Sequence, residues 1–319
     1  MRTIDSECGK AFFEGGLLQK ERMWRLVEGH PDAEFASGLG FGLGGNWKKL
    51  SLEERERTWR LAEGHPNAGF ANGLGFGLGG NWKKLSSEER ERAWRFAEVH
   101  PNTVFASGLG WGLGDNWEKL SSEERKRAWR FVKGYLDTEF VDTEFEIGLG
   151  SGLGDNWEKL SLEERERVWR FAERHPDTRF VDSLGFGLGR NWEKLSLEER
   201  ERAWRFAEGY PDTGFANDGL GFGLRRNWKK RSSEERERAW RLVEVHPDTL
   251  FANGLGFGLG QNWKKLSLEE RERAWRLVEV HPDTLFADGL WSSGVGGALV
   301  RPVPHPTAKA HGPSQDLGS

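Results

Sequence analysis

"GLGFGLG", residues 73–79, recurs along the chain with little change, and its reading decides the fold. Three readings compete. Leu74, Phe76 and Leu78 alternate with glycine as in a strand; Gly75, Gly77 and Gly80 spell G-x-G-x-x-G as in a phosphate loop; or the segment is a helix rich in glycine. In "FANGLGFGLGGNWKKL" (70–85), Phe70, Leu74, Leu78, Trp82 and Leu85 are spaced 4, 4, 4 and 3. That spacing draws a helical stripe about 120° wide. A strand explains seven residues and leaves Asn81 and Trp82 unplaced. Asn72-Gly73 suits a hairpin turn, but Ser183 stands where Gly73 does in another copy, so positive φ is not required there. The third glycine of the phosphate-loop pattern becomes Asp115, Asp155, Arg190, Arg226 or Gln261 elsewhere, and no βαβ context precedes it. The spacing therefore predicts a helix over about 69–84, called helix B.

The repeat is explicit. Asn-Trp occurs at 46, 81, 116, 156, 191, 227 and 262, in steps of 35, 35, 40, 35, 36 and 35, and a second Trp recurs at 24, 59, 94, 129, 169, 204, 240 and 275. A fixed period of this size signals an array. The long step comes from "DTEFVDTEFE" (137–146), which doubles a five-residue unit, and the 36-residue step from one extra residue in "FANDGLG" (215–221). Between Asn-Trp motifs lies "LSLEERERTWRLAEGHP" (50–66). Ser51 followed by Glu54 is a capping box, Glu53/Arg57 and Glu56/Arg60 are i,i+4 pairs, and Pro66 closes the segment. This predicts helix A over about 52–64, with Leu52, Thr58, Trp59, Leu61 and Ala62 on its apolar half. Glycine in a helix interior costs about 1 kcal/mol relative to alanine, so helix B needs outside support. Gly75 and Gly77 flank its stripe on opposite sides, which predicts that each helix B packs closely between the B helices of the preceding and following repeats.

With period, two helices per unit and short loops in hand, residues 16–290 resemble the α-solenoid repeat class of HEAT-like and tetratricopeptide-like helical hairpins. The tetratricopeptide W-x2-L-G-x2-Y pattern is not present. The resemblance implies an all-α, right-handed-type α-solenoid of about seven two-helix repeats that binds partners along one face. Residues 1–15 read as a degenerate N-terminal capping half-repeat, with Phe12 at the Trp82 position and Cys8 at the Leu78 position. Residues 16–293 form the repeat domain. Residues 294–319, with Pro302, Pro304, Pro306 and Pro313, read as a disordered tail.

Bulk properties narrow the function. The 319 residues are 36% hydrophobic and 31% charged, with mean hydropathy −0.72, too polar for one large core. Net charge −4 gives no general attraction to nucleic acid or anionic membrane. One cysteine excludes an intramolecular disulfide framework. No membrane span and no signal peptide are expected, which makes the cytoplasm the default location.

No catalytic, cofactor or metal site is expected. His30, His65, His100, His175, His246 and His281 share one repeat position with Tyr135 and Tyr210, which suits ring packing at the end of helix A rather than a metal. Arg55, Arg90, Arg125, Arg165, Arg200, Arg236 and Arg271 point into the apolar half of helix A and read as a ladder to carboxylates or helix-end carbonyls. Asn81 and its equivalents read as an amide ladder between repeats.

The candidate partner-binding positions lie on the outer face of helix B. Phe41, Phe76, Trp111, Phe186, Phe222 and Phe257 point away from the stripe, with Ser151 as the break. Beside them the charge varies while the scaffold stays constant, through Asp115, Glu118, Asp155, Glu158, Arg190, Arg226 and Lys229. Two accounts fit: a surface that reads a protein or peptide ligand, or rings packed between repeats beside drifting charges. The leading expectation is a non-enzymatic scaffold for a protein or peptide. Single-stranded RNA binding is the alternative, favoured by "LRRNWKKR" (224–231) and disfavoured by net charge. A recently expanded repeat with no selected ligand is the third.

Overall fold

The computed structural model describes residues 2–134, 143–221 and 228–293. It is an all-α solenoid, with no strand among the described residues. The chain opens with α1 (Arg2–Glu14), a B-type helix, followed by α2 (Leu17–Gly29), an A-type helix. The two types then alternate: α3 (Glu34–Gly45), α4 (Leu52–Gly64), α5 (Gly69–Gly80), α6 (Ser87–Val99), α7 (Val104–Asp115), α8 (Ser122–Gly134), α9 (Glu144–Asp155), α10 (Leu162–Arg174), α11 (Arg179–Arg190) and α12 (Leu197–Gly209). After them come α13 (Phe215–Gly221), α14 (Ser233–Val245), α15 (Leu250–Gln261), α16 (Leu268–Val280) and α17 (Leu285–Ser292). The B helices carry odd numbers and pack side by side in one continuous row from α1 to α17.

Helix A falls on its expected bounds, and the capping box forms. In α4 the Glu54 N–H donates to Ser51 Oγ at 3.1 Å, and the Ser51 N–H donates to Glu54 Oε2 at 2.8 Å. Trp59, Leu61, Ala62 and Thr58 are buried, whereas Leu52 is 82% exposed. Leu52 starts the first turn, beyond the reach of the neighbouring B helices. Helix B is shorter than its stripe suggested. It ends at Gly80, and Trp82–Lys84 form a separate 3-10 turn. Asn81 caps the end, its Nδ2 donating to Gly77 O at 3.2 Å; its equivalents Asn156 and Asn191 cap their helices likewise and also donate across the repeat junction, to Asp115 at 2.7 Å and Asp155 at 3.2 Å, so the expected amide ladder forms in part. Where helix B begins, Thr103 Oγ1 donates to His100 O at 2.8 Å, and the Phe105 N–H reaches back to Pro66 O at 3.2 Å.

The glycines now have a geometric reason. At about 100° per residue, Gly73 and Gly77 share one side of α5, Gly75 and Gly79 the opposite side. Leu74 and Leu78 lie between them, and Phe76 faces the other way. A Cβ at Gly73 would lie 2.0 Å from Ser37 O, and one at Gly77 2.6 Å from Phe41 O, both in the preceding helix B. A Cβ at Gly75 would lie 2.4 Å from Phe105 O, and one at Gly79 2.9 Å from Gly112 C, both in the following one. Two small-xxx-small faces are thus interleaved two residues apart. Each brings helix backbones into direct contact, with glycine Hα atoms aimed at carbonyls as weak hydrogen bonds. The opening stretch is a helix with a glycine face on each flank. The A helices, by contrast, reach one another through long side chains. A row in backbone contact is shorter per repeat than one spanned by side chains, so the array bends with the B row inside.

The extra residue of "FANDGLG" is absorbed without breaking the row, because α13 is wound as a π-helix, which holds one more residue per turn than its neighbours. At the N-terminus, α1 occupies the place of a helix B, and a Cβ on its Gly9 would lie 2.6 Å from Gly42 Cα. Phe12 is buried edge-to-face against Trp24 at 5.7 Å. The five-residue duplication lies mostly, and the Pro-rich tail wholly, outside the described residues.

Gly77→Leu is expected to destabilise by about 1–3 kcal/mol or more through overpacking against backbone. Gly64→Ala, with nothing within 4 Å of the added carbon, is expected to be neutral or to stabilise by up to about 1 kcal/mol. Denaturant unfolding compares the two, and a more stable Gly77→Leu protein would refute the backbone contact.

Candidate partner-binding surface

Two carboxylate systems fasten each A helix to the next and fix what is left for a partner. In the first, the capping glutamate has a second task. Glu89, which caps α6, accepts from Trp47 Nε1 at 2.6 Å and from Arg55 Nη1 at 2.7 Å, both in the preceding repeat. The set recurs at Glu124 with Trp82 (2.7 Å) and Arg90 (2.8 Å), and at Glu199 with Trp157 (2.7 Å) and Arg165 (2.7 Å). Glu270 repeats it with Trp228 (2.8 Å) and Arg236 (2.9 Å), and Glu164 holds Trp117 and Arg125 in the same way. The arginine ladder expected from sequence is therefore present, and it uses carbonyls as well: Arg165 Nη2 donates to Glu158 O at 2.9 Å. Burial pushes the Glu124 carboxyl up, but the Ser121 N–H and hydroxyl, the Trp82 indole and Arg90 outweigh it and hold its pKa below the ordinary value. Glu164, Glu199 and Glu270 are lowered by the same balance.

The second system lies on the outer side of the A helices. Arg92 lies 4.9 Å over the Trp59 ring of the preceding repeat and donates to Glu56 at 2.8 Å and Glu63 at 2.9 Å. Arg57, Arg127, Arg202, Arg238 and Arg273 repeat this clamp. The i,i+4 pair expected for Glu53/Arg57 gives way to it, because two carboxylates across the junction offer a charge-assisted fork that one neighbour on the same helix cannot.

The outer face of the B row carries the aromatic positions. Phe41 and Phe76 stack at 5.2 Å, and Phe76 meets Trp111 at 5.2 Å. The rings form a strip that runs across three repeats. Phe41, Phe76, Phe186 and Phe257 are half-buried, and Trp111 is 38% exposed. Phe222 and Arg226 lie outside the described residues. Ser151 interrupts the strip next to Trp111. The variable charges beside it find partners within the chain. Asp155 accepts from Arg190 at 2.7 Å, Asp115 from Asn156 at 2.7 Å, and Glu158 from Lys194 at 3.0 Å. Arg190 also covers the Phe186 ring at 5.3 Å. Glu118, Glu158 and Lys229 are exposed.

Other sequence candidates resolve as packing. His100 and His175 pack on Phe96 and Phe171 at 5.2 and 5.0 Å, and Tyr210 on Phe206 at 5.0 Å. Cys8 is half-buried and not part of a disulfide. Within "LRRNWKKR", Lys230 pairs with Glu193 at 3.4 Å, and Arg231 is only 4% exposed, filling a leucine position. Burial pushes its guanidinium down to about 10. The nearby Arg200–Glu235 contact is correspondingly long, at 3.5 Å. Among the described residues no helix is long and apolar enough to cross a membrane. No family model, curated protein or solved structure matches this chain.

Two expectations follow from these charges. Glu124, Glu164, Glu199 and Glu270 are stabilised as carboxylates in the folded state, so their contribution is complete above the unfolded value of 4.5 and is lost as pH falls through the lower folded values. Helicity followed by circular dichroism is expected to hold at pH 5 and collapse cooperatively below about pH 4; an unchanged unfolding midpoint across that window would refute the carboxylate clamps. Arg231→Leu restores the residue of the equivalent positions and removes a buried charge, so its unfolding temperature is expected to rise by a few degrees, on the order of 1 kcal/mol.

Proposed function

We propose that this protein is a non-enzymatic scaffold that binds a protein or peptide along the outer face of its B row. The observation that carries the reading is the stacked strip Phe41–Phe76–Trp111, which ends in the 38% exposed indole. The strip rests on helices locked by backbone contact, so its rings are pre-organised and binding needs little ordering. Aromatic side chains held this way give large contact area at low entropic cost. The B row lies inside the bend, where one ligand can touch several repeats at once. The charges beside the strip change along it, from exposed Lys48 and Lys83 beside the first two rings to Asp115 and Glu118 beside Trp111, which favours a ligand that pairs apolar anchors with acidic residues at one end and basic residues at the other.

Replacing Phe41, Phe76 and Trp111 together by serine tests this. Each ring shares a stack, so the triple variant is expected to lose about 1–3 kcal/mol of stability in total while keeping its helicity. Against an immobilised random peptide library, the parent is expected to select sequences with aromatic or aliphatic anchors flanked by Asp or Glu on one side and Lys or Arg on the other, and the variant to lose them. Selection of the same peptides by a folded triple-serine protein would move the recognition surface elsewhere. Binding of the parent to homopolymeric RNA with a steep salt dependence would favour the nucleic-acid reading instead.

A further inference from the structure

The clamp on the outer side of the A helices fails at one junction. From α8 to α10 the arginine is Arg167, which still lies 5.2 Å over the Trp129 ring, as its equivalents do over theirs. The two glutamates that should neutralise it are replaced by Lys126 and Lys133. Lys126 turns to Glu123 on its own helix, at 2.8 Å. Arg167, Lys133 and Arg174 have no ion-pair partner among the described residues. Arg167 is exposed, whereas Arg57, Arg92, Arg127, Arg202, Arg238 and Arg273 are half-buried in their clamps.

The groove beside this junction differs in charge from its counterparts. It is a cleft of about 280 Å³ whose charged lining among the described residues is Lys133, Arg167, Arg170 and Arg174 against one carboxylate, Glu163, with His175 at its edge. The corresponding cleft over α6 sets Arg92 and Arg95 against Glu63, Glu88 and Glu91. The one over α12 sets Arg202 and Arg205 against Glu173 and Glu198. Among the described residues Arg170 is the one of these four cations in ion-pair contact with a carboxylate, Glu166 at 3.7 Å.

From this juxtaposition we propose an oxyanion site between α8 and α10, in which Arg167, Lys133 and Arg174 bind a phosphate group. A regular clamp gives its guanidinium two negative charges and several carboxylate oxygens. A phosphate dianion or phosphomonoester supplies a comparable charge and three strong acceptor oxygens in one compact group. The Trp129 ring beneath Arg167 holds the guanidinium plane in the orientation that the clamp uses elsewhere. Lys133 then approaches the group as a point charge from the last turn of α8. Free phosphate and a phosphorylated side chain share this chemistry. The inference does not depend on the aromatic strip, which lies on the B helices.

Titration calorimetry at constant ionic strength tests it, with inorganic phosphate in one arm and a short phosphoserine peptide in the other, each beside chloride and the unphosphorylated peptide. One saturable site per chain is expected. Tighter binding of the peptide identifies a phosphorylated side chain as the ligand, and equal or weaker binding identifies free phosphate. The Lys126→Glu/Lys133→Glu double variant restores the regular clamp. It is expected to weaken phosphate binding by at least about tenfold while raising the unfolding temperature, so loss of fold cannot account for loss of binding. Arg167→Gln is expected to weaken binding to the same degree. Conversely, Glu91→Lys/Glu98→Lys, which recreates the break under Arg127, is expected to add a second site. No saturable binding by the parent, or binding that survives both Arg167→Gln and the restored clamp, would overturn the proposal.

Discussion

Backbone contact between neighbouring B helices is the constraint from which the rest of this structure follows. Alternate glycines place Gly73 and Gly77 against one neighbour and Gly75 and Gly79 against the other. No side chain separates the helices, so lateral stability of the row comes from close dispersion contacts and Cα–H···O pairs rather than from interdigitated side chains. Such a helix is poor in isolation and good in a stack, which makes folding of one repeat dependent on its neighbours. The contact also sets the register of everything attached to the row. The 5.2 Å spacing of Phe41, Phe76 and Trp111 follows from it.

The A helices solve a different problem. Forced apart by the bend, they must be joined by groups that span a gap. Arginine and glutamate have the length, and tryptophan supplies a flat surface on which the guanidinium is held. Partial burial makes these pairs stronger than ordinary surface ion pairs, because at the capping glutamates the carboxylate also accepts from indole and backbone N–H groups while the guanidinium donates to backbone carbonyls. The capping glutamate is the economical element: one carboxyl ends the helix on one oxygen and fastens the previous repeat on the other, as Glu89 does with Ser86, Trp47 and Arg55. Losing it would remove a cap and an inter-repeat joint together.

Much of this was legible in the sequence because it is periodic. The bounds of helix A came from a local capping box and a closing proline, and the two-sided glycine packing came from angular position alone. What stayed hidden was partnership across repeats. The capping box names its own partners and gives no hint that Glu89 also receives Trp47, which lies more than one period away. The amide ladder at Asn81 and its equivalents is present only in part: each terminal amide first finds its own helix's carbonyl, as Asn81 does, and Asn156 and Asn191 reach the preceding repeat as well, where an aspartate stands to accept. Leu52 was placed in the apolar half by its angle, but a first-turn residue projects beyond the neighbouring helices. The charge columns at Asp115, Asp155 and Arg190 looked independent of one another in sequence, and the structure pairs two of them directly, Asp155 with Arg190. Whether the rings of the B face are strip or packing could not be read from alternation, because stacking between repeats and partial exposure occur together.

In an array whose repeats touch only their neighbours, a substitution is felt at one junction and leaves the others intact. The exceptions to the repeat are therefore informative in proportion to how strictly their counterparts keep the rule. The extra residue near Asp218 is accommodated by a change of helical winding, and Arg231 by burial of a charge at a leucine position; both changes are absorbed locally. The exchange of two glutamates for Lys126 and Lys133 differs in kind. It leaves the cation–π support of Arg167 in place, removes only the counter-charge, and exposes the guanidinium to solvent. A charge that is oriented by the protein and has no ion-pair partner among the described residues suits a binding site for an anion, and the clamps at the other described junctions show the geometry such an anion would complete.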